Sequence, residues 1–214
     1  MIEKKAALLR EAILKGLPGT DVQWEMASSD RMIKDFPRTR NNSSRLAAVL
    51  FLLYPLNGKL HTCLIQRQQY NGVHGGQISF PGGKAEPADT SLIGTALREA
   101  SEETGIIIPP DNVIGVLTPL FIPVSDTEVT PVVAWCSPNP SFRIDKGEVA
   151  HIIEADMEKL ADAAIVSEKP FVIRGEMMNV KYYDLNGYVI WGATAMIIHE
   201  MITIFRREKI PFTL

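Results

Sequence analysis

From Leu46 to Pro55 the chain reads LAAVLFLLYP, without a charge, and after Asn57-Gly58 it resumes as KLHTCLIQR. A continuous apolar run of this length reads as a strand, and Asn-Gly is a strong hairpin turn signal. Further β-rich runs follow at NVIGVLTPLFIP, EVTPVVAWC, FVIRG, NVKYYDL and GYVIWG, each bounded by proline, glycine or asparagine. Asn186-Gly187 marks a second hairpin. Helical spacing occurs at Glu3–Lys15, stopped by Gly16 and Pro18, and again over Ser91–Thr104, Ile152–Ala163 and Ala193–Arg207. Gly19–Ser44, with Pro37 and RTRNNSS, reads as an irregular connector. The pattern predicts an α+β fold, a mixed sheet with helices packed on it and no internal repeat.

Composition narrows the class. The 214 residues are 46% hydrophobic with a formal charge of −3 and mixed signs along the chain, which suits one domain or one domain plus an extension. No basic stripe argues for nucleic acid, and no polybasic cluster argues for an anionic membrane. Cys63 and Cys136 sit in apolar runs outside any CxxC pair and are expected as reduced core residues. The N-terminus lacks the uninterrupted apolar centre of a secretory signal, so a cytoplasmic location is expected. IWGATAMIIHEMITIF is broken by His199 and Glu200 and reads as a buried helix.

The charge that matters is local. On a helix Glu99, Glu102 and Glu103 fall within an arc of about 100°, where like charges repel by a few tenths of a kcal/mol per pair. Arg98 offsets part of this. A solvated acidic face is the plain alternative, but Leu92, Ala96 and Ala100 form an apolar stripe on the other side. Gly82-Gly83 permits a sharp turn before the helix, and Gly105 is placed to end it. Such a unit brings hard oxygen ligands suited to Mg²⁺ or Mn²⁺ to the end of a sheet.

Gly83 followed by Arg98-Glu99-x-x-Glu102-Glu103-x-Gly105-Ile106 resembles the Nudix box, G-x5-E-x7-R-E-U-x-E-E-x-G-U with U bulky and apolar. Ala100 fills a U position. The first half is one residue longer than the general pattern, and Asp89 takes the place of its glutamate. Gly82-Gly83-Lys84, Asp89 and Thr95-Ala96-Leu97-Arg98-Glu99 are similar to the coenzyme A diphosphatase branch. That branch carries an upstream motif, approximately L-L-T-x-R-S-x3-R-x3-G-x3-F-P-G-G. Leu64, Arg67, Gly76 and Phe80-Pro81-Gly82-Gly83 match it; Cys63, Ile65, Gln68 and Gly72 depart from it.

The resemblance covers nearly the whole chain from Leu46. It implies a Nudix fold, a mixed sheet sandwiched between helices (α/β/α), with residues 1–44 as an N-terminal helix and connector and 45–214 as the hydrolase domain. It implies hydrolysis of a nucleoside diphosphate linked to another moiety, most specifically coenzyme A, with Mg²⁺ or Mn²⁺ held by Glu99, Glu102 and Glu103. Arg98 would orient Glu102, and Asp89 would cap the helix. Arg67, Gly82, Gly83 and Lys84 are candidates for substrate contact, and His74 for a hydrogen-bonding role. Glu103 and Glu148 are the candidate catalytic carboxylates. Glu148, in DKGEVAHII, is expected near a helix N-terminus, where it would bind metal, hold the attacking water or only stabilise that helix. Other nucleotide diphosphates, a non-catalytic binding module and an isoprenyl diphosphate isomerase stay open as alternatives, the last lacking a suitably placed cysteine. A small-molecule nucleotide is the expected partner. The helix from Ala193 offers a homodimer surface or a cover for the sheet.

Overall fold

The computed structural model describes residues 2–28, 39–69, 75–173 and 175–214; Gly72 and His74 lie outside them. In chain order the elements are α1 (Ile2–Lys15), α2 (Thr20–Trp24), β1 (Arg45–Leu56), β2 (Lys59–Arg67), β3 (Ile78–Ser79), β4 (Gly82–Lys84) and α3 (Leu92–Thr104). They continue as β5 (Val113–Val116), β6 (Leu120–Ile122), β7 (Thr127–Trp135), β8 (Val149–Asp156), α4 (Met157–Leu160), β9 (Val166–Ile173), β10 (Glu176–Leu185), β11 (Tyr188–Trp191) and α5 (Gly192–Arg207).

The main sheet runs β3-β2-β1-β7-β5, with β4 pairing β1, β6 pairing β7 and β8 pairing β2. β1 lies parallel to β7, Arg45 opposite Thr127 and Leu53 opposite Trp135, and antiparallel to β2. The β1–β2 hairpin turns on Asn57 (φ 50°) and Gly58 (φ 76°), and the β10–β11 hairpin on Asn186 (φ 54°) and Gly187 (φ 88°), as the Asn-Gly pairs predict.

Alternation along β1 explains why its sequence is apolar throughout. Leu50, Leu52 and Tyr54 face α3 together with Ala96 and Ala100, whereas Phe51 and Leu53 face a second layer containing Leu9 of α1 and Ile197 and Met201 of α5. The result is the α/β/α sandwich. α5 spends its apolar surface as the cover of the sheet, with Ala195 through Ile198, Met201 and Ile202 all buried within the chain. Among the described residues no helix is long and apolar enough to cross a membrane.

Two expectations change. Ile152–Ala163 is not one helix: Val149–Asp156 is strand β8, followed by the short helix α4. β1 and β3 take one edge of β2, and β8 pairs along its other edge, from His61↔Asp156 to Gln66↔His151. Asp156 then caps α4 by accepting from the amides of Glu158 (2.8 Å) and Lys159 (3.4 Å). The described part of the connector also contains a helix, α2, whose Gln23 and Trp24 are buried. Gln23 Nε2 donates to buried Glu200 (2.8 Å) and to the Thr118 carbonyl (2.8 Å), while Glu200 also accepts from the Thr118 hydroxyl (2.5 Å) and the Gly19 amide (3.2 Å). This polar knot fastens the N-terminal segment to α5.

Candidate active site

The site grows from the ends of α3. Ser91, not Asp89, caps its start, accepting from the Gly94 amide at 3.1 Å. Gly105 ends it at φ 73°, where a Cβ would lie 2.9 Å from the Arg143 carbonyl. With Ala96 and Ala100 buried against the sheet, the acids emerge on the side facing β4 and the loop before β8.

Asp89 instead clamps Arg98. Its Oδ1 accepts from Nε and its Oδ2 from Nη2, both at 2.9 Å, while the Thr95 hydroxyl and the Glu86 amide complete its shell. The Arg98 hydrogen bonds hold the Asp89 carboxyl well below the usual carboxylate range. Fixed in this way, Arg98 Nη1 donates to Glu99 (2.9 Å) and Glu102 (3.1 Å), and Nη2 reaches the Lys84 carbonyl (3.3 Å). Arg98 therefore orients two acids, where the sequence suggested one. The Lys84 side chain is exposed, and its carbonyl makes the contact with Arg98.

The glycine pair brings backbone against carboxylates. Gly82, at φ 150°, donates its amide to Glu103 Oε2 at 2.8 Å, and a Cβ there would sit 2.3 Å from the Ala48 carbonyl. A Cβ on Gly83 would lie 2.3 Å from Glu99 Oε2. Only glycine permits both approaches.

Glu103 is the most enclosed acid of the site, its side chain 2% exposed. Its Oε1 lies 3.5 Å from Arg67 Nη1 and has no hydrogen-bond partner among the described residues. Burial pushes its carboxyl up to about 7; the Gly82 amide and Arg67 oppose this, and the charges of Glu148 and Glu99 add to it. Glu99 is also raised, first by burial. Arg67 Nε is buried without a partner among the described residues.

Glu148 does not begin a helix. It is the exposed last residue of a loop before β8, so stabilisation of a helix terminus is not its role. The loop is tied on both sides. The Asp145 amide donates to the Glu103 carbonyl (3.0 Å), the Gln68 amide to the Glu148 carbonyl (2.9 Å), and Gln68 Nε2 to the Lys146 carbonyl (2.9 Å). A cleft of about 340 Å³ is lined by Arg67, Gln68, Gln69, Gly147 and Glu148. The anchoring roles of Gln68 and Asp145 were missed from the sequence; the Asp-Lys-Gly turn was the local signal for the second.

Residues 44–173 match the family model described as NUDIX domain. The chain belongs to the Nudix hydrolase family. The uncharacterized Nudix hydrolase NudL of Photorhabdus laumondii is 35% identical over 165 residues, covering 77% of this chain and 87% of that protein. The NudL protein of Escherichia coli O6:H1 is 37% identical over 161 residues, covering 73% and 81%. Among solved structures, a MutT/nudix family protein from Enterococcus faecalis is similar in fold, with a TM-score of 0.51 at 16% identity, covering 87% of this chain and 72% of that one.

Nudix hydrolases as a family use divalent ions such as Mg²⁺ or Mn²⁺. In the conformation described, no three acidic, histidine or cysteine side chains among the described residues are gathered into a ready ligand set. The donors nevertheless fit a hard cation: they are carboxylate oxygens, Glu103 Oε1 is buried without a hydrogen bond, and Glu99, Glu103 and Glu148 repel one another.

Proposed function

We propose that this Nudix hydrolase cleaves the diphosphate linkage of coenzyme A or an acyl-coenzyme A, giving 3′,5′-ADP and the (acyl-)4′-phosphopantetheine. The observation that carries the hydrolytic reading is the enclosed Glu103, with Oε2 fixed by Gly82 and Oε1 turned toward Arg67 and the charges of Glu99 and Glu148. Support for coenzyme A comes from the residues that resemble that branch, Leu64, Arg67, Gly76 and Phe80 through Lys84.

Glu99, Glu102 and Glu103 would hold Mg²⁺ or Mn²⁺, which supplies charge neutralisation of the diphosphate and a Lewis-acid site for in-line displacement. The protein's own residues do the rest. Arg98, locked by Asp89, keeps Glu99 and Glu102 in position. Arg67 offers a guanidinium to phosphate oxygens, and the Gly82-Gly83 backbone sets Glu103 and Glu99 in place for them. Glu148 is the candidate to take the proton of the attacking water. Water adds to one phosphorus, the bridging P–O bond breaks, and the departing phosphate keeps the electron pair.

Product analysis tests this reading. Coenzyme A incubated with the protein and Mg²⁺ or Mn²⁺ should release both named products, and Glu103→Gln should release neither. No phosphopantetheine from coenzyme A, beside rapid turnover of a nucleotide sugar, dinucleoside polyphosphate or oxidised nucleotide, would transfer the activity to that substrate.

A further inference from the structure

A second cleft, of about 330 Å³, lies between the segment before β3 and the three-stranded sheet β9–β11. Phe171, Tyr188 and Trp191 give it flat walls, with the carboxamides of Gln66 and Gln77 and the backbone of Gly76 beside them. Among the described residues that line it none carries a charged side chain. The rings are braced from behind. Phe171 lies nearly parallel to Trp191, with centroids 6.4 Å apart and planes at 12°, and meets Tyr182 edge-on at 5.7 Å. Lys169 Nζ sits 5.0 Å from the Phe171 centroid. Gln66 is held by Nε2 donating to the Gly76 carbonyl at 3.3 Å. Tyr188 packs 5.6 Å from His151, whose Nε2 is buried without a partner among the described residues.

We infer that this cleft is the seat of the nucleobase of the substrate, a flat nitrogen heterocycle stacked on the aromatic wall with its edge toward the carboxamides. The inference rests on the reading that the substrate is a nucleoside diphosphate derivative. Three features select this occupant. Aromatic faces stack any base, and a carboxamide presents a donor and an acceptor side by side, which complements the edge of a purine. The described lining, without a charged side chain, offers phosphates nothing, whereas Arg67 and the acid site do. The two clefts are lined by neighbours at the end of β2, Gln66 for this one and Arg67 for the other, and the Arg67 amide donates to the Gln77 carbonyl at 3.0 Å. A ligand with a base and a diphosphate joined through a sugar is built to cross that edge. Phe171 lies within the matched residues 44–173, and Tyr188 and Trp191 lie beyond them.

Calorimetric titration of the full, metal-free chain with AMP and with ribose 5-phosphate isolates the base, because no bond is cleaved. AMP should bind about tenfold or more tightly than ribose 5-phosphate. Tyr188→Ala and Val189→Trp, the second filling the cleft, should each bring the ratio close to one, with ribose 5-phosphate affinity unchanged. Equal binding of the two ligands by the wild-type chain would overturn the inference, as would a ratio that survives both variants. Binding of 4′-phosphopantetheine that is lost in Val189→Trp, beside an unchanged AMP ratio, would give the cleft to the other half of the substrate. These outcomes are independent of which diphosphate is hydrolysed, so this inference and the assigned reaction can fail separately.

Discussion

Glu103 carries two opposing demands, since its Oε2 is fixed by a backbone amide while burial disfavours the charge that a cation would need. Its carboxyl, raised to about 7 from the ordinary 4.5, stabilises the metal-free fold fully below the ordinary value, and that contribution is lost as pH rises through about 7. The melting temperature of metal-free protein should therefore carry a declining component between those values, and Glu103→Gln should remove it. Activity at fixed, subsaturating metal should fall as pH drops below about 7, because protons then compete for the same oxygens. Glu148→Gln separates chemistry from packing: kcat should fall about 10²–10⁴-fold with little change in melting temperature. An unchanged kcat at saturating metal would remove Glu148 from the mechanism. Gly82→Ala forces a side chain against the Ala48 carbonyl at positive φ. It should destabilise toward the top of the ~0.5–3 kcal/mol range for single substitutions, read by urea denaturation.

At the scale of elements, the box helix is a positioning device whose key lies outside it. Asp89 occupies the place of the usual glutamate and holds Arg98 through two parallel hydrogen bonds. Asp89→Ala should lower metal affinity or kcat about 10–100-fold, and Asp89→Glu should recover part of the loss, as a metal titration of the rate would register. Much of this element was legible in the sequence, because helix spacing, the glycine stop and the Asn-Gly hairpins are local properties. Asp89 was misread as a cap because Ser91, two residues later, competes for that position by the same chemistry. β8 was misread because HIIEADMEKL carries apolar residues at spacings a helix tolerates, and only the open edge of β2, distant in sequence, decides for a strand. The error moved Glu148 from a helix terminus to a loop and changed which of its roles survives. α2 was missed because a five-residue helix beside proline and glycine has almost no periodicity to read.

Across the whole molecule, the N-terminal segment is part of the packing through Gln23 and Glu200. Gln23→Leu would strip two donor contacts from a buried site and leave Glu200 short of a partner. A loss of about 1–3 kcal/mol is expected in denaturant titration, with kcat of the surviving folded protein unchanged because the knot lies on the side of the sheet away from α3. The parallel pairing of β1 with β7 has a consequence in time. Arg45 must find Thr127, and the box helix lies in the loop that this encounter closes. Until the two strands meet, Ala96 and Ala100 have only part of the surface they pack on, so the seating of the acid-bearing helix is completed late. Assembly should be governed by closure of that long loop and run slowly for a chain of this size. During synthesis the acids are made before β7 completes the sheet beneath their helix, leaving an interval in which one edge of β1 is exposed and most in need of a chaperone.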